Sequence, residues 1–292
     1  MEMINEIKKN YLRSLSNVNS FKERWSIWGP QIRKILGEEP SGEDIFNLVE
    51  GLNGIFFPEE KNSKIERGQE EVSQIGNAFK SFNIWFLNLL FWGTPILAMK
   101  QSKKFTPKVI RDCITVDISK MHINSDSNIL IFNIPNHQLL KDSNSLNQHI
   151  EENISNVELI MLQSKTNWSD TVQETMLWDI IYNAEGLPDY VKVGINDFCP
   201  QNLHSFKYAF TTWPTGTRKE IEPDSMPVKR VENLTGGNFW LKETKQDVAA
   251  NIKELPYRHF SRFYPEEGVP SHIEEIREKD KEFLSSFLDL NW

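Results

Sequence analysis

VELIMLQSKTNWSD, residues 157–170, is the stretch on which the reading of the fold turns. With a period of two, Val157, Leu159, Met161, Gln163 and Lys165 share one side of an extended strand, so an amide and an ammonium emerge where its apolar run ends. A largely apolar strand is buried, and polar groups at its end need partners: the lysine an anion, the amide hydrogen bonds. Asn167 and Asp170 offer a turn or a helix cap before a helix begins at 171. The strand therefore delivers Gln163 and Lys165 toward one pocket beside a loop and a helix.

Working outward, strand-like runs are expected at 113–118 and 128–134, with further strands at 190–195 and 206–212. Leu146, Ile150 and Ile154 give a short helix between the second and third strands, and Val172, Met176, Ile180 and Ala184 form one face of a helix over 171–184. The order of helix, three strands, helix and two strands predicts an α/β (α+β) fold, a mixed β-sheet flanked by helices.

Upstream, Phe79, Phe82, Phe86, Leu89 and Leu90 recur at helical spacing over 75–92, and Pro95 prevents continuation. The apolar run 84–99 is shorter than the roughly 20 residues a bilayer needs and is broken by Asn88 and Gly93-Thr94-Pro95, so it reads as a buried helix. Trp25, Trp28, Ile32 and Ile35 mark one face of an earlier helix, Ser41-Gly-Glu-Asp44 starts another, and Phe56-Phe57-Pro58 ends it. These observations predict an N-terminal helical subdomain at 1–66 and a core at 67–292. The polar run 58–69 is either a linker or a helical connection. Toward the end, 214–216 and 223–227 read as turns, LTGGNFW at 234–240 as a tight turn, and 272–292 as a charged helix with an apolar last turn.

The 292 residues suffice for one large domain or two smaller ones, and a net charge of -8 disfavours nucleic-acid binding through the overall field while leaving room for a local basic surface. Cys113 and Cys199 alone make no disulfide framework and no zinc pattern, which fits a cytoplasmic protein; the first residues lack an apolar signal core. The six histidines form no HExxH pair, no nucleophile elbow is present, and Leu234-Thr-Gly-Gly-Asn lacks the lysine of a phosphate loop.

Asn124-Ser-Asp-Ser-Asn128 before the strand ILIF, Gln163-Ser-Lys165 at the end of the next strand, and a following helix that bears Gln173 together resemble the PD-(D/E)xK nuclease superfamily, closest to its type II restriction-endonuclease-like branch. The resemblance covers roughly residues 75–212. It implies a restriction-endonuclease-like sheet and metal-dependent hydrolysis of phosphodiester bonds, with Mg2+ (or Mn2+) held by Asp126 and Gln163 and with Lys165 positioning water and stabilising developing charge. Gln173 is an auxiliary candidate. It also implies double-stranded DNA as partner, a homodimer for two-stranded cleavage, and a role in restriction or anti-phage defence; no membrane association is expected.

Three departures stand out. Gln163 replaces the usual acidic residue, Asn128 occupies the place immediately before the apolar strand, and Lys80 stands where related nucleases often have a glutamate, leaving Glu70 and Glu71 as distant candidates. Asp126 keeps a carboxylate two residues from Asn128 and, by strand parity, on the same side. The alternative is a catalytically degenerate nuclease-fold subunit that binds nucleic acid or joins a defence complex. A third is a structural interaction protein built on the aromatic N-terminal helices. Candidate DNA contacts are Lys103, Lys104, Lys108, Asn167, Trp168, Arg218, Lys219, Lys229 and Arg230.

Overall fold

The computed structural model describes residues 1–56, 69–125, 128–166, 172–212, 226–239 and 252–290. The chain divides into two compact units, one made of Glu2–Thr94 with Ile252–Trp292 and the other essentially of Pro95–Asn251. The first opens with α1 (Glu2–Leu15), α2 (Asn19–Leu36), α3 (Gly42–Phe46), α4 (Leu52–Phe56) and α5 (Gln69–Leu90). The second carries β1 (Ile96–Lys100), α6 (Lys108–Ile114), β2 (Val116–Ile118), β3 (Met121–Ile123), β4 (Asn128–Asn133), α7 (Leu146–Glu152), β5 (Glu158–Lys165), α8 (Val172–Asn183), β6 (Val191–Val193), β7 (Ser205–Thr212), α9 (Met226–Val231) and β8 (Gly237–Phe239). The chain then returns to the first unit with α10 (Leu255–Phe260), α11 (Val269–Lys279) and α12 (Phe283–Leu288).

The second unit is a mixed α/β structure. Its main sheet has the order β1-β4-β5-β7-β8. β1, β4 and β5 are antiparallel neighbours, whereas β7 runs parallel to β5 and β8 parallel to β7. A parallel pair needs a crossover, and the chain between β5 and β7 contains α8. Every residue of β4 is buried, as are Leu159 to Ser164 of β5, which explains why both strands read as unbroken apolar runs. β3, β2 and β6 make a separate small antiparallel sheet.

The structure corrects several expectations. Residues 113–118 are not one strand: Cys113 and Ile114 close α6, and only Val116–Ile118 is extended, in the small sheet. Val109, Ile110, Cys113 and Ile114 are all buried, a spacing that one face of a helix produces. The apolar run 84–99 is not one helix either. α5 stops at Leu90, Gly93 takes a positive φ of 72° that favours glycine, and Ile96–Lys100 pairs with β4 as the first strand of the antiparallel meander. Residues 190–195 contribute only β6, and 272–292 falls into α11 and α12.

The division between units lies at Thr94/Pro95 and Asn251/Ile252. Aromatic packing explains why α5 belongs with the helices before it: Trp25 meets Trp85 edge-on at 5.0 Å and Trp28 meets Phe82 at 6.1 Å. Trp25, Trp28 and Ile32 are buried, but Ile35 is 45% exposed and leaves that face. A capping box of Ser41 and Asp44 starts α3, where a Cβ on Gly42 would lie 2.1 Å from the Pro270 carbonyl oxygen of α11, so only glycine admits the approach.

At the end of α5, Lys8 is fully buried and donates to the carbonyl oxygens of Phe91 and, at 2.8 Å, Thr94. The His272 ring meets the Trp92 carbonyl at 2.8 Å, and Tyr264 donates to that of Leu90 at 3.1 Å. Carbonyl groups left over at a helix C-terminus are thus satisfied by side chains. Burial holds the Lys8 ammonium well below its ordinary pKa and lowers that of His272.

The expected linker at 58–69 and the turn at 214–216 lie largely or wholly outside the described residues. Within LTGGNFW, residues 234–236 turn the chain into β8: Gly236 donates to the Tyr208 carbonyl at 2.7 Å, and a Cβ there would come within 2.9 Å of the same oxygen. Among the described residues, no helix is long and apolar enough to cross a membrane.

Candidate functional site

The antiparallel register of β4 and β5 sets Asn128 opposite Gln163, and the parallel register of β5 and β7 sets Met161 beside Tyr208. Tyr208 reaches past its neighbour, and its phenolic oxygen lies 2.8 Å from Ser125 Oγ, 3.3 Å from Gln163 Oε1 and 3.4 Å from Asn128 Oδ1. Thr175, from the first turns of α8, donates to Gln163 Oε1. Asn128 Nδ2 donates to the Ser125 carbonyl at 2.8 Å and to Gln101 Oε1 at 3.1 Å. Burial raises the Tyr208 phenol far above its ordinary pKa, with Ser125 partly opposing the shift, so it stays protonated.

This buried knot ties three adjacent strands to one helix. Gln163 is 1% exposed and Asn128 is fully buried. Asn128 is therefore a committed sheet residue with both ends of its amide engaged. Gln163 differs, because its Nε2 is buried and has no hydrogen-bond partner among the described residues.

Lys165, two residues on and on the same side of β5, is half-buried and pairs with Glu174 of α8 at 3.1 Å. Gln163 and Lys165 thus meet consecutive positions of α8, Thr175 and Glu174. The helix expected at 171–184 exists, but its buried side is Val172, Thr175, Asp179 and Tyr182, not the predicted face: Ile180 is 53% exposed. α8 is apolar on several sides, so apolar spacing alone does not single out the side with partners to meet. Asp179 anchors that side, accepting from Thr235 at 2.8 Å, and burial raises its carboxyl above the usual range.

The remaining candidates are dispersed. Gln173 is exposed on the first turn of α8, and none of the hydrogen bonds described above involves it. Asp126, Asn167, Trp168, Arg218 and Lys219 lie outside the described residues, so the proposed pairing of Asp126 with Gln163 does too. Lys103 and Lys104 are exposed, with the Lys104 ammonium 5.0 Å from the centre of the Phe105 ring. Lys108 is exposed and pairs with Asp112 at 2.9 Å. Lys229 is exposed and Arg230 half-buried on α9, while Lys80 is buried within α5 of the other unit.

Ser125, Thr175, Glu174 and Tyr208 escaped the sequence reading. Only Glu174 carried a local signal, since an acidic residue in the first turn of the helix after Lys165 is placed to meet an ammonium. Among the described residues, no group of three or more histidine, cysteine, aspartate or glutamate side chains is placed to hold a metal ion. No protein-family model matches the chain, and no curated protein matches it.

Proposed function

We propose that the chain is a metal-dependent DNA endonuclease with a restriction-endonuclease-like sheet, cutting phosphodiester bonds with Asp126, Gln163 and Lys165. The observation that carries this reading is the end of β5, where a buried amide whose Nε2 has no partner among the described residues and a half-exposed ammonium lie two residues apart on one side of the strand. An antiparallel meander of β1, β4 and β5, followed by α8 and a strand parallel to β5, supports it, because the order of elements is part of the resemblance.

An amide oxygen and a carboxylate suit Mg2+, so Gln163 and Asp126 would hold the ion, which when bound polarises the phosphate and lowers the pKa of water. Lys165 supplies positive charge to the phosphate as its charge rises, an effect concentrated in the transition state. Glu174 holds that ammonium in place until an anion arrives. Duplex DNA enters over exposed lysines such as Lys103 and Lys104, which secure phosphates without reading sequence. Two-stranded cutting requires two such sites, hence a homodimer working in a restriction or defence role.

Incubation with duplex DNA and Mg2+ tests the reading. Cleavage by the wild-type chain that is lost in Lys165→Ala is the expected result; cleavage that survives the substitution removes the assignment. The full engagement of Asn128 favours a second reading, a degenerate nuclease-fold subunit that binds nucleic acid without cutting it. Titration calorimetry with Mg2+, with and without DNA, separates the two, because the degenerate site yields no protein-dependent heat.

A further inference from the structure

We infer that Tyr208 and Thr175 are positioning residues that turn the Gln163 side chain so that its NH2 group faces them and its carbonyl oxygen faces away. The two ends of a primary amide have nearly the same shape, so their assignment rests on hydrogen bonds. Asn128 supplies the fixed point. Its Nδ2 lies 2.8 Å from the Ser125 backbone carbonyl, which can only accept, so its Oδ1 must be the atom 3.4 Å from the Tyr208 phenol, and that oxygen too can only accept.

A phenol has one proton, and Asn128 Oδ1 needs it. If Gln163 Oε1 is the atom 3.3 Å from the same phenol, Thr175 already serves that oxygen, while the amide's two N–H groups stay buried with no partner among the described residues. Rotating the amide by half a turn gives both N–H groups partners. Nε2 then gives one proton to Tyr208 Oη and the other to Thr175 Oγ1. The phenol accepts from Gln163 and from Ser125 Oγ at 2.8 Å and donates to Asn128, so its capacity is filled.

The carbonyl oxygen then takes the place of the orphaned NH2 group. A buried carbonyl with a free lone pair serves a hard divalent cation, whereas an amide nitrogen, its lone pair delocalised into the carbonyl, does not. The choice of cation as ligand class rests on the function proposed above. The orientation itself rests only on the hydrogen-bond geometry.

NMR of the full-length 15N,13C-labelled protein tests this without any assay of cleavage, with Gln163→Glu identifying the side-chain NH2 signal by its disappearance. The expected spectrum has Gln163 NH2 protons in contact with the Tyr208 ring and the Thr175 methyl and exchanging with solvent at least ten times more slowly than those of an exposed glutamine. Thr175→Ser, which keeps the hydroxyl, retains this protection, while Thr175→Val and Tyr208→Phe lose it with the fold intact by backbone spectrum. A Gln163 NH2 group in the wild-type protein that exchanges freely and makes no contact with the Tyr208 ring overturns the proposal. Mg2+ addition that shifts the Gln163 carbonyl resonance supports the cation; an unmoved carbonyl in a protected amide overturns the ligand class alone.

Discussion

Asn128 and Gln163 face each other across two antiparallel strands, and the single phenolic proton of Tyr208 lies within reach of both amides. Each side of that arrangement is polar, buried and tied to a different part of the unit.

Replacing Asn128 with aspartate removes its two donated bonds and places a carboxylate in a fully buried position. A loss of about 1–3 kcal/mol is expected at neutral pH, measured by urea unfolding. Burial raises the folded-state pKa of such a carboxyl, so the unfolded chain gives up its proton first and the deficit grows as pH rises. An Asn128→Asp protein as stable as wild type at pH 7 would show that the Asn128 bonds carry little.

Glu174→Gln leaves the Lys165 ammonium without its anionic partner. Both side chains are partly exposed, so stability should change by less than about 1 kcal/mol. Retention of duplex DNA at low salt should increase, because phosphate no longer competes with the carboxylate. Fluorescence anisotropy with labelled duplex reads the change; weaker retention would sink the proposed role of the pair.

Lys8 makes the helical unit more stable as pH rises. Its folded pKa lies below the ordinary 10.5, so between those two values the unfolded chain holds the extra proton, and raising the pH favours the fold. The slope cannot exceed about 1.4 kcal/mol per pH unit from one group. Tyr264, whose pKa burial raises above 10.0, acts in the opposite sense above that pH, so the window ends there. Lys8→Met should flatten the rise seen in urea unfolding between neutral pH and 10.

The two cysteines should differ sharply toward a thiol reagent. Cys113 is fully buried, and desolvation first, with Cys199 and Asp112 adding to it, pushes its thiol up to about 12. Cys199 is half-buried. Titration with a chromogenic disulfide should therefore modify Cys199 in the folded protein and Cys113 only in denaturant, with mass spectrometry of the peptides assigning each site.

The strands and helices that build the central sheet were legible where apolar runs were long. β4, β5, α8 and β7 follow from period and composition, as does most of α5. β1 was hidden because it is short, largely buried and continuous in hydropathy with the helix before it, so no alternation marks it. Cys113 and Ile114 read as strand residues because an apolar, β-branched run has no preference of its own until packing supplies one. Gln163 and Lys165 stood out at the end of an apolar strand. Tyr208 and Thr175 could not, since the parallel register of β5 with β7 is what brings Tyr208 to Gln163, and the packing of α8 is what brings Thr175.

The helical unit is discontinuous in sequence: 41 residues, 252–292, must join a body begun at residue 2. During synthesis the whole of the intervening unit, residues 95–251, is made before those last helices. At ordinary translation speeds of about 5–20 residues per second, the nascent helical unit waits roughly 10–30 seconds for that segment. Trp92 meets Phe287 at 5.1 Å in the finished protein, and until α12 is made that ring has no such cover. Truncation within the last helices should therefore leave an intact sheet attached to a sticky, chaperone-binding remnant.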